Sequence, residues 1–219
     1  MRNKLVVVAI ILLAIPALAC QTLLGGVSLE PSTSLFEEDF SSRSNGWDVI
    51  STDSHSVDYG AGDYSVQIFT TEWFVWANPN EANLSLADVH VEVTARNTGA
   101  ATEPGFGIMC HYMDEENYYY LGVSTDGYHI IAKTEGGVDT VLTGADKWSS
   151  SDQVPLNAAS YRVGADCGKG TLTLYVNGKQ VASLVESTFT VGTVGLFAQA
   201  FAEQPVEIRF DDLVVTALP

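Results

Sequence analysis

The segment MDEENYYYLGVSTDGYHI, residues 113–130, carries four acidic residues and four tyrosines within eighteen positions. Asp126-Gly127 stands between two runs rich in β-forming residues, YYYLGVS (118–124) and YHIIAK (128–133). Asp-Gly is typical of the tight turns of β-hairpins, because both positions tolerate a positive φ. The segment therefore predicts two antiparallel strands, and the acids of MDEEN fall in the loop before them.

The first strand of this hairpin has two distinct faces. Side chains alternate along a strand, so Tyr119 shares a face with Leu121 and Val123, whereas Tyr118 and Tyr120 point to the other side. The alternation does not show which face is buried. The two tyrosines of the second face are available to a ligand only if that face is exposed.

The rest of the chain from Leu35 onward has the same character. Asn177-Gly178 in LYVNGKQV is a second hairpin turn, and apolar residues repeat with period two rather than 3.6. Strands so spaced, with little helix between them, are typical of an antiparallel sandwich or barrel. The predicted strands are YSVQIF (64–69), HVEVTAR (90–96), GFGIMCHYM (105–113), SYRVGA (160–165), TLTLYV (171–176), KQVASLV (179–185), TVGLFAQA (193–200) and VEIRFDDLVVTAL (206–218).

The N-terminal segment MRNKLVVVAIILLAIPALAC has the order of a secretory signal: basic residues, an apolar run and small residues. Its ending, ALAC, resembles a bacterial lipobox, which implies a signal peptide over 1–19 and lipidation at Cys20. Residues 20–34 are aperiodic and are predicted to be a flexible tether to a domain at 35–219. In lipoproteins of this kind Gln21 implies an outer-membrane or cell-surface location.

Charge excludes one class of partner. The chain has 10 basic and 27 acidic residues, a formal net charge of −17. Nucleic acid is a poor partner for such a surface, because phosphate contacts require Lys and Arg. With Cys20 assigned to lipid, Cys110 and Cys167 remain, and two thiols in an oxidising compartment are best read as one disulfide. A metal pair or a cysteine nucleophile is the less favoured alternative, since the four histidines are scattered.

The order of motifs resembles the laminin-G-like jelly rolls of the concanavalin A-like lectin/glucanase superfamily. Those motifs are GFGIMCHYMDEENYYYLGVSTDGYHIIAK, TLTLYVNGKQVAS, VGTVGLFA and VEIRFDDLVV. The chain looks most like the bacterial branch that includes domains similar to the 3-keto-disaccharide hydrolase family. The resemblance implies two antiparallel sheets, one concave and one convex, with Cys110 and Cys167 paired across neighbouring strands. It does not imply one function, because this fold carries lectins, glycosidases and interaction modules.

No catalytic pattern is present in the sequence. Retaining glycosidases need two carboxylates about 5 Å apart, and the glucanase relatives place them along one strand. Glu37, Glu38 and Asp39 are adjacent and alternate between faces, while Glu92 has no acidic partner two or four residues away. We therefore interpret the protein as a non-enzyme, with a glycoside-active enzyme as the alternative.

Sugar binding would use aromatic rings with polar neighbours. The candidate ligand-binding residues are Trp73, Trp76, Tyr118, Tyr120 and Tyr128. Trp73 and Trp76 lie three apart in a strand-like segment, so they are expected on opposite faces, with one of them in the core. Trp47 is expected in the core, and Trp148 in a loop.

A calcium ion is a further expectation. Many jelly rolls of this superfamily hold Ca²⁺ between the first and last strands, and Ca²⁺ binds several oxygens. The candidate metal ligands are Glu37, Asp39 and Asp211. Together these features predict a lipid-anchored, extracytoplasmic jelly-roll domain that binds carbohydrate without catalysis. A protein-interaction domain with a surface partner is the remaining hypothesis.

Overall fold

The computed structural model describes residues 33–80, 84–145 and 147–219. The predicted signal peptide, Cys20 and nearly all of the predicted tether lie outside these residues. The described ranges contain no helix that is long and apolar enough to cross a membrane. They form sixteen strands: β1 (Ser34–Glu38), β2 (Ile50–Ser51), β3 (His55–Tyr59), β4 (Tyr64–Ile68), β5 (Trp73–Ala77), β6 (Val89–Asn97), β7 (Gly105–Asp114), β8 (Asn117–Ser124), β9 (Tyr128–Glu135), β10 (Val138–Val141), β11 (Ser149–Ser150), β12 (Tyr161–Gly168), β13 (Thr171–Val176), β14 (Lys179–Val185), β15 (Thr193–Ala200) and β16 (Val206–Ala217).

The strands build two antiparallel sheets. The first sheet has the order β14-β13-β12-β6-β16-β4-β3-β2, and β1 pairs with β16. The second sheet has the order β10-β9-β8-β7-β15-β5, and β11 pairs with β9. This arrangement confirms the predicted two-sheet jelly roll. First and last strands are neighbours, as expected for these sandwiches.

Both predicted hairpin turns are present. Gly127 has φ +95° between β8 and β9, and Asn177 and Gly178 have φ +50° and +75° between β13 and β14. Positive φ at both central positions is the geometry that makes Asn-Gly so favourable in a two-residue turn. The strands β13, β14 and β15 have the predicted bounds, and the Asn177-Gly178 turn separates the first two.

The core lies between the sheets. On β8 the face with Tyr119, Leu121 and Val123 is completely buried in it. Cys110 on β7 and Cys167 on β12 form the predicted disulfide, with their Cα atoms 6.5 Å apart. These strands belong to different sheets, so the bond joins the two layers across the core. The expectation of a bond between neighbouring strands was therefore wrong, because both side chains point inward from facing sheets.

Candidate functional site

The outer face of the second sheet carries a layer of aromatic side chains, here called the outer layer. Tyr118, Tyr120 and Phe197 are its buried centre, with Met109, Ile130 and Ala132. Further side chains pack around that centre: Phe74, Trp76, Tyr112, Val141 and Trp148. The second sheet is thus apolar on both sides, and its outer side is a small core that no strand of the first sheet covers.

The rings of the outer layer cover one another. Tyr112 stacks on Tyr118 with ring centroids 5.7 Å apart, and Trp76 lies 6.1 Å from the same tyrosine. Phe74 lies 5.3 Å from Tyr120. As a result Tyr118 and Tyr120 are only 5% and 7% exposed, and burial raises the pKa of both phenols. These two tyrosines were predicted to bind a ligand only if their face of β8 is exposed, and that face is buried.

The other aromatic candidates lie nearer the rim. Trp73 is 42% exposed at the start of edge strand β5, and Tyr128 is 40% exposed at the start of β9. Trp76 is partly buried on the outer face, as the three-residue spacing from Trp73 predicts. The expectation that one of these tryptophans belongs to the core was wrong, because Trp73 stands at the strand end where the core stops. Trp47 is in the core, as predicted.

A cleft of about 550 Å³ runs along edge strand β5. Trp73, Phe74, Trp76 and Tyr112 supply its aromatic surface. Its volume lies within the range of about 300–1,000 Å³ that is typical of small-molecule sites. The remaining described residues that line it are Asp48, Ile50, His55, Val75, Asn78, Pro79, Asn80 and Glu115.

The polar groups of the cleft are held by the backbone. The segment Asn78–Asn80 runs beside residues 46–48: Asn80 N–H donates to the Gly46 carbonyl at 3.0 Å, and Asn78 N–H donates to Asp48 Oδ2 at 3.2 Å. The Asn78 side chain donates to the Val194 carbonyl at 2.9 Å. These bonds fix carboxylate and amide groups beside the tryptophans, which is the combination that orients a ligand on a ring.

Carboxylates beside the cleft give it a negative charge. Burial raises the pKa of Tyr112, and the carboxylates of Glu115, Asp114 and Asp48 raise it further. The described lining residues include no Lys or Arg. An anionic ligand would therefore meet unbalanced repulsion here, whereas a neutral or cationic one would not.

The predicted calcium ligands do not come together. Asp39 accepts bonds from the N–H and hydroxyl of Ser41 at 2.9 and 2.7 Å, and Asp211 accepts from Asp212 N–H at 2.8 Å. Within the ranges that the structure describes, no group of three or more His, Cys, Asp or Glu side chains could hold a metal ion. Glu38, which was not in the predicted set, is the buried carboxylate here, and its Oε2 has no partner among those residues.

Glu92 has a structural environment rather than a catalytic one. It lies on the outer face of the first sheet, where it accepts from Arg162 Nε at 3.1 Å and lies 3.3 Å from His90 Nε2. His90 Nδ1 is 2.6 Å from Asp166, and that hydrogen bond is the main reason that the pKa of His90 is raised. This network links β6 to β12, which both belong to the first sheet, whereas the cleft lies along β5 of the second sheet.

Several solved structures have a fold similar to that of this chain. The chain is similar to the carbohydrate-binding module CBM66 from Bacillus subtilis, at 15% identity and a TM-score of 0.59 over 79% of this chain and 96% of that one. A B. subtilis protein of unknown function with a galectin-like fold matches at 14% identity and a TM-score of 0.60, over 85% and 97% of the two chains. A Bacillus licheniformis β-glucanase matches at 10% identity and a TM-score of 0.57, over 86% and 100%.

At these identities the likeness establishes the architecture, and the chain has the concanavalin A-like jelly-roll fold that its motifs resemble. No known protein family matches the sequence. None of the curated proteins matches it either.

Sequence reasoning missed the polar half of the cleft. Asp48, Asn78, Asn80 and Glu115 come from three separate segments, and of these only Glu115 lies in a quoted motif, where it was assigned to a loop. A usable signal was present in WANPN (76–80), where a tryptophan is followed by two amide side chains around a proline. Such a segment is typical of a strand that ends in a polar loop.

Proposed function

We propose that this protein is a non-catalytic carbohydrate-binding module that uses the cleft along β5. The observation that carries the proposal is the composition of the cleft, in which four aromatic rings stand beside fixed carboxylate and amide groups. Sugar rings stack on aromatic faces through their C–H groups, and their hydroxyls need polar partners for orientation. The fold shared with a carbohydrate-binding module and a β-glucanase supports this choice.

The proposal extends to ligand class and location. The carboxylates of Asp48 and Glu115, without a described basic residue in the lining, favour a neutral or amino-bearing polysaccharide over an acidic one. The signal-like N-terminus and Cys20 support a lipid-anchored, extracytoplasmic location, where polysaccharides are accessible. Membrane attachment through lipid at Cys20 is testable by metabolic labelling with a fatty-acid probe, which Cys20→Ser should abolish.

The binding test uses the full-length chain in a polyoxyethylene detergent, which carries neither sugar nor charge. We expect retention on immobilised neutral or amino-bearing polysaccharide and none on a polyuronate. Trp73→Ala should weaken binding about ten-fold, since one lost aromatic contact of about 1.4 kcal/mol corresponds to that factor. Tyr128→Ala is the matched control, because Tyr128 is equally exposed but lies outside the cleft.

Three outcomes would overturn the proposal. Equal losses for Trp73→Ala and Tyr128→Ala would place binding outside the cleft. Absence of binding to every polysaccharide would instead favour a protein partner. Release of reducing ends that Asp48→Asn and Glu115→Gln both abolish would establish the alternative, a glycoside-active enzyme, because both carboxylates line this cleft.

A further inference from the structure

A second cavity, of about 200 Å³, lies beside the end of β8 at Ser124 and shares no lining residue with the cleft. The cleft is bounded by Glu115 before β8 begins, whereas this cavity is bounded by Ser124, where β8 ends. Its remaining lining residues are Glu103, Asp126, Tyr128, Trp148 and Phe201. Neither the sequence patterns nor the proposed sugar site accounts for this cavity.

Two of its rings form a corner. The rings of Trp148 and Phe201 are at 89° to each other, with centroids 5.5 Å apart. A perpendicular pair offers no flat platform for a sugar ring, and the cavity is smaller than a typical site for a ligand of that size. Because the two centroids are only 5.5 Å apart, a small cation in the corner would lie within about 6 Å of both, which is the distance at which cation–π attraction acts.

The position of Trp148 is built into the fold. Its ring lies against Gly105, where an added Cβ would come within 2.9 Å of the Trp148 ring carbon Cη2. Any other residue at this start of β7 would push the indole off the sheet. Tyr128 adds a third ring, and its backbone N–H is held by Ser124 Oγ at 3.2 Å. The Trp148 ring is therefore held against the sheet, and the backbone of Tyr128 is held beside the same cavity.

Carboxylates supply the charge that such a cage requires. Glu103 and Asp126 both line the cavity, and Asp126 Oδ1 accepts the hydroxyl of Ser124, which fixes its side chain. The described lining contains no basic residue, and the whole chain is acidic. A lining of aromatic rings and carboxylates matches a cation with an apolar surface.

We propose that Trp148, Phe201 and Tyr128, with Glu103 and Asp126, form a cage that binds a quaternary ammonium group. A trimethylammonium group has no N–H to donate, so it needs ring faces and nearby negative charge rather than hydrogen-bond acceptors. The group could be presented by free choline, a phosphocholine headgroup or a trimethylated lysine. The site is separate from the cleft and does not depend on the proposed sugar binding.

The first measurement is a calorimetric titration of the full-length chain, in the same detergent, with choline chloride. The matched probe is 3,3-dimethyl-1-butanol, in which a carbon replaces the quaternary nitrogen and the shape is kept. We expect choline to bind at least five-fold more tightly than the neutral alcohol. Equal affinities, or no binding of either compound up to 50 mM (about the weakest affinity such a titration resolves), would overturn the proposal.

Variants then locate the site. Trp148→Ala should reduce choline affinity at least five-fold, whereas Trp148→Phe, which keeps a ring, should lose less. Tyr128→Leu removes an exposed ring without disturbing the core, so it tests the cage even if Trp148→Ala unfolds. Glu115→Gln, in the part of the cleft before β8, is the control and should bind choline normally. A loss there, or unchanged binding in Tyr128→Leu and both Trp148 variants, would refute the assignment.

The possible sources of the ammonium group differ in charge, so their relative affinities distinguish them. Glu103 and Asp126 should repel phosphate, so phosphocholine should bind more weakly than choline, and a trimethyl-lysine peptide at least as well. Glu103→Gln and Asp126→Asn should reduce choline affinity while leaving 3,3-dimethyl-1-butanol unaffected. If these two variants instead leave choline affinity unchanged, the carboxylates have no part in the site and the cage as assigned is wrong.

Discussion

Gly122→Ala should destabilise the protein, because Gly122 and Gly107 form the floor on which the outer layer rests. The two glycines face each other on β8 and β7. A Cβ at Gly122 would lie 2.5 Å from the Phe106 carbonyl oxygen and 2.5 Å from Cζ of Phe197. A Cβ at Gly107 would collide in the same way with the Leu121 carbonyl and the Phe197 ring. The absent side chains let the Phe197 ring lie flat against two backbones.

The magnitude follows from which neighbours can move. The Phe197 ring can tilt, but the Phe106 carbonyl belongs to the ladder between two central strands and cannot shift without breaking it. Inserting a methyl group into a packed core costs about 1–3 kcal/mol. Replacing glycine recovers about 0.4–1 kcal/mol through the unfolded chain. The net expectation is a loss of about 1.3 kcal/mol in the free energy of unfolding, or about 3–5 °C in Tm.

The assay is urea denaturation followed by tryptophan fluorescence, with the disulfide intact. Gly164→Ala is the control, since Gly164 also lies within a strand but its Cβ would meet only side-chain atoms at 3.3–3.5 Å. The reasoning fails if Gly122→Ala is within 0.5 kcal/mol of the parent, a difference usual for harmless surface changes. It also fails if both alanine variants lose the same amount, because the loss would then reflect strand propensity rather than the floor.

Three further predictions concern the stability of the same fold. Replacing Cys110 and Cys167 by serine should lower the free energy of unfolding by about 4 kcal/mol, because the bond closes a loop with a sequence separation of 57 residues; urea midpoints measure this, and a loss under 1 kcal/mol would contradict it. Tyr119→Phe should cost about 1–2 kcal/mol, because the hydroxyl accepts the Phe189 N–H at 2.8 Å; unchanged protection of that amide in hydrogen exchange would disprove it. The pKa of His90 is raised, first by its hydrogen bond to Asp166, so the stabilisation by this pair is complete below the unfolded pKa of about 6.5 and disappears as pH rises through the folded pKa. His90→Gln should therefore be most destabilising at pH 5.5 and least destabilising at pH 9. A constant difference in the free energy of unfolding across that range would refute the linkage.

The architecture was predictable because its signals are local. A strand with period-two alternation and an Asn-Gly or Asp-Gly turn needs only its own residues to be recognised, and β13 and β14 confirm this. Strand β10 follows the two-residue turn Gly136-Gly137, a hairpin signal that sequence reasoning missed. The short strands β2 and β11 carry no such signal. Each has two residues and is held in place by pairing with β3 or β9. Their existence depends on a partner strand, which a single segment of sequence does not reveal.

The site was harder to predict, because exposure depends on distant residues. Alternation correctly separated Tyr118 from Tyr119, and the structure assigns Tyr119 to the core between the sheets. That Tyr118 is also buried follows from Trp76 and Tyr112, which reach it from other strands of the sheet. No pattern within residues 113–130 contains that information. The same limit explains why the polar groups of the cleft, drawn from three segments, were not anticipated.

The packing of the outer layer also restricts where a ligand can bind. Phe74, Tyr120 and Phe197 fill the middle of the outer face, with ring centroids 5.0–5.7 Å apart. Their rings therefore pack against one another. A polysaccharide laid across the middle would find ring edges rather than open faces. The exposed rings stand outside this packed middle, where strands of the second sheet begin: Trp73 lines the cleft and Tyr128 lines the cage. Ligand recognition on this sheet is therefore expected outside the packed middle, where a half-exposed ring lies near carboxylates.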